Sequence, residues 1–458
     1  MNMREAAAAL ALLLAVACNS GEPPAPDLQA LRLPTGARLS PDGDWLFVAN
    51  SNLDLGVQAS TLVAIPLKPL HAGLAAPLPV NVPLKPDAPC RWADTGPDDP
   101  ALIECDPARL ITREHAVQLP SGAGNIALDL PAGVDGPWRL LVPSSLEQLI
   151  SWVDVRADGE TLVMDCGQDA AGVCASEFQV QGLRADASRL TVDPLGARVA
   201  YLPHLLDNAF TLIDLDGDAG PEVAEVRDDE GMFNSTNQQF FGGFAATVRP
   251  CDPAAAPRIT QDCTRPVIYV TQRFWPGLRI LSINPGLKRI LAFGGGLGSV
   301  GLQNVDKDVL GDRPLMGEPV FEDATGERLL VVHTTPPALA RIDTSLGPTG
   351  DPLDEEVAVL PLCRNPNLLA LYQPPDREAL AFVSCYSDAQ VAVVALATFS
   401  AVATLDVEAG PNELVVDAAR RKLYVVQTMA STIGVIELDA GRPDYLRVVG
   451  RVGLAEDG

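Results

Sequence analysis

"RPVIYVTQRFWPG", residues 265–277, runs a short apolar segment, Val267 to Val270, straight into a polar and aromatic cluster. A strand buried on both faces reads this way: a brief β-branched run that stops where the chain meets water. The same event recurs along the chain. Residues 38–52 read "RLSPDGDWLFVANSN", 190–204 "LTVDPLGARVAYLPH", 319–334 "PVFEDATGERLLVVHT", 368–387 "LLALYQPPDREALAFVSCYS" and 413–428 "ELVVDAARRKLYVVQT". Two copies carry insertions at the turn, "NIALDLPAGVDGPWRLLVPSS" at 125–145 and "FAATVRPCD…RPVIYVTQR" at 244–273. Each copy is strand, polar turn, strand, polar tip. The Asp-Gly, Pro-Asp and Pro-Leu-Gly turns supply the positive or fixed φ that a tight reversal needs.

A third, alternating strand follows most copies, as in "STLVAIPL" at 60–67, "FTLIDLD" at 210–216 and "TIGVIELD" at 432–439. A fourth follows several, such as "AVATLDV" at 401–407 and "LRVVGRV" at 446–452. Helical periodicity is almost absent after residue 17. Seven four-stranded antiparallel units, each unable to cover its own faces, predict an all-β, seven-bladed β-propeller over residues 30–458. The copies "VIYVTQ", "LFVANSN" and "LYVVQT" resemble the YVTN-type propeller repeat of bacterial envelope and surface proteins. That resemblance implies a fold more than an activity.

The ring predicts a common address for the tips. The second strand of every copy ends on the same face, so Asn50, Asn52, His204, Arg273, Trp275, His333, Tyr386 and Gln427 are expected on one rim as ligand-binding candidates. Ser51, Ser144, Ser145, Gln272, Thr334, Ser387 and Thr428 are expected beside them. Cys363 precedes the inner strand of blade 6 and Cys385 ends its neighbour, so both belong to this rim.

The N-terminus, "MNMREAAAALALLLAVACNSGEPPAPD", has Arg4 ahead of a twelve-residue apolar run, Ala6 to Ala17. The run is too short to span a bilayer and suits a signal peptide over residues 1–17. Ala15-Val16-Ala17-Cys18 resembles a bacterial lipobox, which implies lipidation of Cys18. Residues 18–29 then read as a Pro-rich tether. Export to the envelope follows, in the outer membrane and facing the periplasm or the surface, with membrane contact only through the anchor. The other eight cysteines fall into four sequence-local couples, Cys90 with Cys105, Cys166 with Cys174, Cys251 with Cys263, and Cys363 with Cys385. Short, polar, cysteine-bounded loops point to disulfides in an oxidising compartment. No couple has zinc-knuckle spacing.

The chain has 458 residues and a net charge of −26. That charge argues against nucleic acid as a partner. An envelope protein, a glycan or a small ligand remains. "DLDGDAGPEVAE", 214–225, spaces Asp214, Asp216, Asp218 and Glu225 as a calcium loop would, but Ala219 stands where that loop needs Gly. No G-x-S-x-G or H-E-x-x-H occurs, and the Gly-rich "FGGGLGSVG" at 293–301 precedes no helix. The expected role is therefore a non-enzymatic binding scaffold. The alternative is a lactonase-type hydrolase with an axial calcium, for which Asn50, Asn125, Glu318 and Asn412 sit near suitable strand ends.

Overall fold

The computed structural model describes residues 23–74, 88–93, 102–131, 133–134, 136–159, 161–187, 189–228, 242–251, 265–272, 277–291, 299–301, 315–348, 352–375 and 377–454. The strands form seven sheets, one for each predicted copy, and the architecture is a seven-bladed propeller of antiparallel four-stranded blades. The inner strand of blade 1 is Pro34–Leu39, followed outward by Trp45–Asn50, Ser60–Pro66 and Ala116–Leu119. Inner strands Ala127–Asp129, Thr191–Val192, Gly243–Val248, Leu315–Phe321, Pro366–Tyr372 and Pro411–Asp417 begin blades 2 to 7. Neighbouring inner strands pack side by side around the axis, and that of blade 7 returns to that of blade 1.

The doubly apolar strands are explained by the seams. Each gap between blades holds its own apolar cluster, so a strand shares its two faces between two clusters. In Val267–Gln272, Ile268 and Val270 pack toward blade 3, and Tyr269 packs toward blade 5. Alternate side chains of a pleated strand point to opposite faces, so both sets must be apolar.

The inner hairpins are fixed by turn carboxylates. Asp193 Oδ1 accepts the amides of Leu195 and Ala197, at 2.8 and 3.0 Å, and its Oδ2 accepts the Tyr201 hydroxyl at 2.6 Å. At the other end of the hairpins, five blades share one device. A residue with positive φ precedes the first ladder pairing of the inner strand: Leu33, Gly122, Asp186, Asn365 and Gly410. Its carbonyl accepts the tip amide, from Ser51, Ser145, Leu205, Tyr386 and Thr428 respectively, at 2.9–3.1 Å. All tips therefore lie on one face, as the repeat predicted. The hairpin turns lie on the other.

Blade 7 is larger than the repeat implies. An insertion in blade 1 carries a short helix, Leu67–Leu74, and two short strands, Cys90–Trp92 and Ile103–Cys105. Ile103–Cys105 pairs in parallel with Val448–Val452, the outer strand of blade 7, and makes a six-stranded sheet. Disulfides join Cys90 to Cys105, Cys166 to Cys174 and Cys363 to Cys385, as the local spacing predicted. Cys251 is disulfide-bonded too, and Cys263 lies outside the described residues. Cys18, the signal segment, Arg273 and Trp275 also lie outside them. Among the described residues no helix is long and apolar enough to cross a membrane.

Candidate functional site

The axis, rather than the rim, gathers the polar chemistry. Arg189 precedes the inner strand of blade 3. Its Nη1 and Nη2 bond both carboxylate oxygens of Glu413 in blade 7, at 2.9 and 3.1 Å. Its Nη2 also reaches Glu318 Oε1 of blade 5 at 3.2 Å. A planar guanidinium presents a fork that matches this bidentate geometry. The backbone of the next residue is held by a reciprocal clamp: Asn125 Nδ2 donates to Leu190 O, and Leu190 N donates to Asn125 Oδ1, at 2.9 and 3.0 Å.

Other inner-strand side chains continue a belt from blade to blade. Asn367 Nδ2 donates to Asn412 Oδ1 at 3.0 Å, and Asn412 Nδ2 to Thr35 O at 3.3 Å. Thr35 Oγ1 donates to Ala123 O at 2.7 Å, and Thr191 Oγ1 to Ala246 O at 2.9 Å.

A cavity of about 510 Å³ adjoins the ion pairs and extends to the hairpin turns of blades 2 and 3. Arg38, exposed on the inner strand of blade 1, lines it with no ion-pair partner among the described residues. Burial works against the Arg189 charge, yet Glu413 and then Glu318 outweigh it and raise the affinity of Arg189 for its proton. Burial pushes the Glu318 carboxyl above the ordinary range despite the pull of Arg189. Among the described residues that line it there is no Ser, Cys or His. These residues offer hydrogen-bonding groups and the guanidinium of Arg38, which has no ion-pair partner among those described.

The rim candidates stand at the tip ends of their strands, and several of them are buried there. Asn50, His204 and Gln427 hold one register position at the buried end of the second strand. Each bonds a threonine that begins or follows into the third strand. Asn50 Nδ2 donates to Thr61 Oγ1 at 2.7 Å, His204 Nε2 meets Thr211 Oγ1 at 2.7 Å, and Thr432 Oγ1 donates to Gln427 Oε1 at 2.6 Å. They close hairpins from within, because a buried polar end must be paired. Asn52 is buried and bonds Val57 O and Ser121 Oγ. His333 is buried in blade 5, apart from His204 in blade 3, and burial holds both imidazoles down at about 4. Tyr386 is half-buried at the tip of blade 6.

The acidic loop does not converge. Asp214 pairs with Lys288, Asp216 with Arg198 at 2.9 Å, and Glu225 accepts the Ile290 amide at 2.5 Å. Among the described residues no cluster of three or more acidic, His or Cys side chains is arranged to hold a metal. Of the axial set, Asn125, Glu318 and Asn412 do reach the axis, and Asn50 does not. The axial carboxylates do not fit calcium, because the Arg189 guanidinium stands between them. Arg189 and Glu413 were missed in the sequence. Their signal is a charge at the start of an otherwise apolar inner strand.

No family model matches the chain, and no curated protein matches it. Solved structures do. Hydrazine synthase of Kuenenia stuttgartiensis is similar at 14% identity and a TM-score of 0.54, over 92% of this chain and 99% of that one. A Bacteroides fragilis protein provisionally assigned as a 6-phosphogluconolactonase gives 12% and 0.49, over 82% and 99%. The Cps50 (Swd1) β-propeller domain of Myceliophteria thermophila gives 11% and 0.49, over 88% and 96%. The likeness is one of fold. At such identities it carries no activity to this chain.

Proposed function

We propose that the chain is an exported binding scaffold of the bacterial envelope, anchored through lipid on Cys18, whose rigid ring holds a protein, glycan or small polar ligand without transforming it. The observation that carries the reading is the Arg189 strut. The carboxylates that a metal-dependent propeller hydrolase would turn on a cation are committed here to an internal guanidinium. The described disulfides support an oxidising compartment. The axial cavity, with Arg38 at its wall, is the concave surface available to a small ligand. Calorimetric titration of the purified protein with calcium, before and after chelation, tests the choice. The scaffold reading expects no stoichiometric heat; one calcium per chain, lost when Glu318 is changed to Gln, would replace it with the hydrolase reading.

A further inference from the structure

The tip face carries an apolar arc. The side chain two places beyond the paired end of the second strand is Leu146 in blade 2, Leu206 in blade 3 and Met429 in blade 7. These three equivalent residues are 48%, 58% and 61% exposed. The longer tip of blade 1, between blades 7 and 2, adds exposed Leu53 and Leu55. Four consecutive blades, 7-1-2-3, thus present large apolar side chains on one face. Two are propped by glycine. A Cβ on Gly122 would sit 2.7 Å from Leu146 Cγ, and one on Gly410 would sit 2.7 Å from Met429 Cγ. Both glycines have positive φ, 84° and 72°, so the loops beneath the arc bring the backbone unusually close. Folding leaves these side chains largely exposed, and large apolar side chains repeated at equivalent tips on one face mark a contact surface.

The chain itself indicates what covers it. Gln58 N donates to Pro24 O at 2.9 Å, so the N-terminal segment leaves the ring beside the tip of blade 1, at the middle of the arc. Cys18 stands six residues before Pro24, a reach of at most about 20 Å. We propose that the arc Met429, Leu53, Leu55, Leu146 and Leu206 rests on the surface of the lipid bilayer that holds the anchor. This rests on the anchored-scaffold reading above. A lipid on a Pro-rich tether holds the chain at the membrane but leaves the orientation of the ring free, and a second contact fixes it. Arg32 pairs with Asp54 and Arg184 with Asp228 near the arc, while Glu147 beside Leu146 and Asp207 beside Leu206 have no ion-pair partner among the described residues, so the bilayer that suits the arc is zwitterionic rather than anionic. The net charge of −26 disfavours an anionic one. In this pose the cavity end at the hairpin turns faces away from lipid, open to a ligand in solution.

Hydroxyl-radical footprinting of the lipidated full-length protein, in phosphatidylethanolamine-rich vesicles and free of lipid, tests this. Vesicles should lower labelling of the five arc residues severalfold and leave Leu287 and Val402, exposed elsewhere, unchanged. The triple variant Leu146→Gln, Leu206→Gln, Met429→Gln alters only exposed side chains. It should keep its lipid and float with vesicles, while Leu53 and Leu55 regain labelling. Equal labelling of the arc with and without vesicles overturns the proposal. So does protection without lipid accompanied by a dimeric mass, which would assign the arc to a second copy. The mass of the Cys18 peptide reports the anchor separately. If that peptide bears no lipid, the anchor reading falls. Vesicles added to the unlipidated chain then decide the arc: protection upholds it and none overturns it.

Discussion

Arg189 and Arg451 each hold two glutamates from different parts of the ring, and each keeps 11% of its side chain exposed. Arg189 bridges Glu318 and Glu413 across the axis. Arg451, on the outer strand of blade 7, joins Glu408 and, at 2.8 Å, Glu104 of the inserted strand. The surroundings differ. Glu104 has a second cation, Arg91 Nε at 2.7 Å, and a backbone ladder and disulfide beside it. Among the described residues Glu318 and Glu413 have Arg189 alone as an ion-pair partner, with a cavity on one side. The outer triad is one fastening among several at the seam. The inner one is a single strut in a place with room for a ligand. Identical side-chain chemistry thus differs in consequence according to how many other contacts share its task.

The contrast can be broken by mutation. Arg189→Leu leaves two partly buried carboxylates near each other without their shared cation, and should lower the urea-unfolding free energy by about 3 kcal/mol. At the seam, Cys90→Ser with Cys105→Ser opens a loop of separation 15 and should cost about 3 kcal/mol by the same measurement. Arg451→Leu should cost less than Arg189→Leu, about 2 kcal/mol, because Arg91 still faces Glu104. If the two arginine variants lose the same stability, the contrast between strut and fastening fails. Asn412→Ala removes one link of the axial belt, and should cost about 1 kcal/mol.

A pH series sharpens the comparison further. The folded carboxyl of Glu318 binds its proton more tightly than the unfolded one, because burial raises it. Its contribution is therefore fully present below the ordinary carboxylate range and is lost as pH rises through the folded value. The stability of the wild type relative to Glu318→Gln should fall as pH rises above the ordinary carboxylate range, as read from urea midpoints. A flat difference would mean that Glu318 does not titrate under the influence of burial.

The register of the tips was readable and their role was not. Asn50, His204 and Gln427 share one position in the repeat, which placed them correctly on one face. Polar residues at a strand end look alike in sequence whether they await a ligand or close a hairpin. The threonines that they meet, Thr61, Thr211 and Thr432, begin or lie within a different strand. Asn125, Glu318 and Asn412 were legible at the axis because inner-strand starts converge there in any ring of this kind.

The sequence by itself determined the blade number, the hairpin turns and the local disulfide couples. These depend on period-two patterning, turn residues and short loops, all of which act over a few residues. Only the tertiary structure decided that Arg189 meets Glu413, 224 residues away. It alone decided that a three-residue strand from blade 1 lies parallel to the edge of blade 7. Cross-axis ion pairs and edge pairings have no period to read. They follow from where closing the ring brings charges and unpaired backbone together.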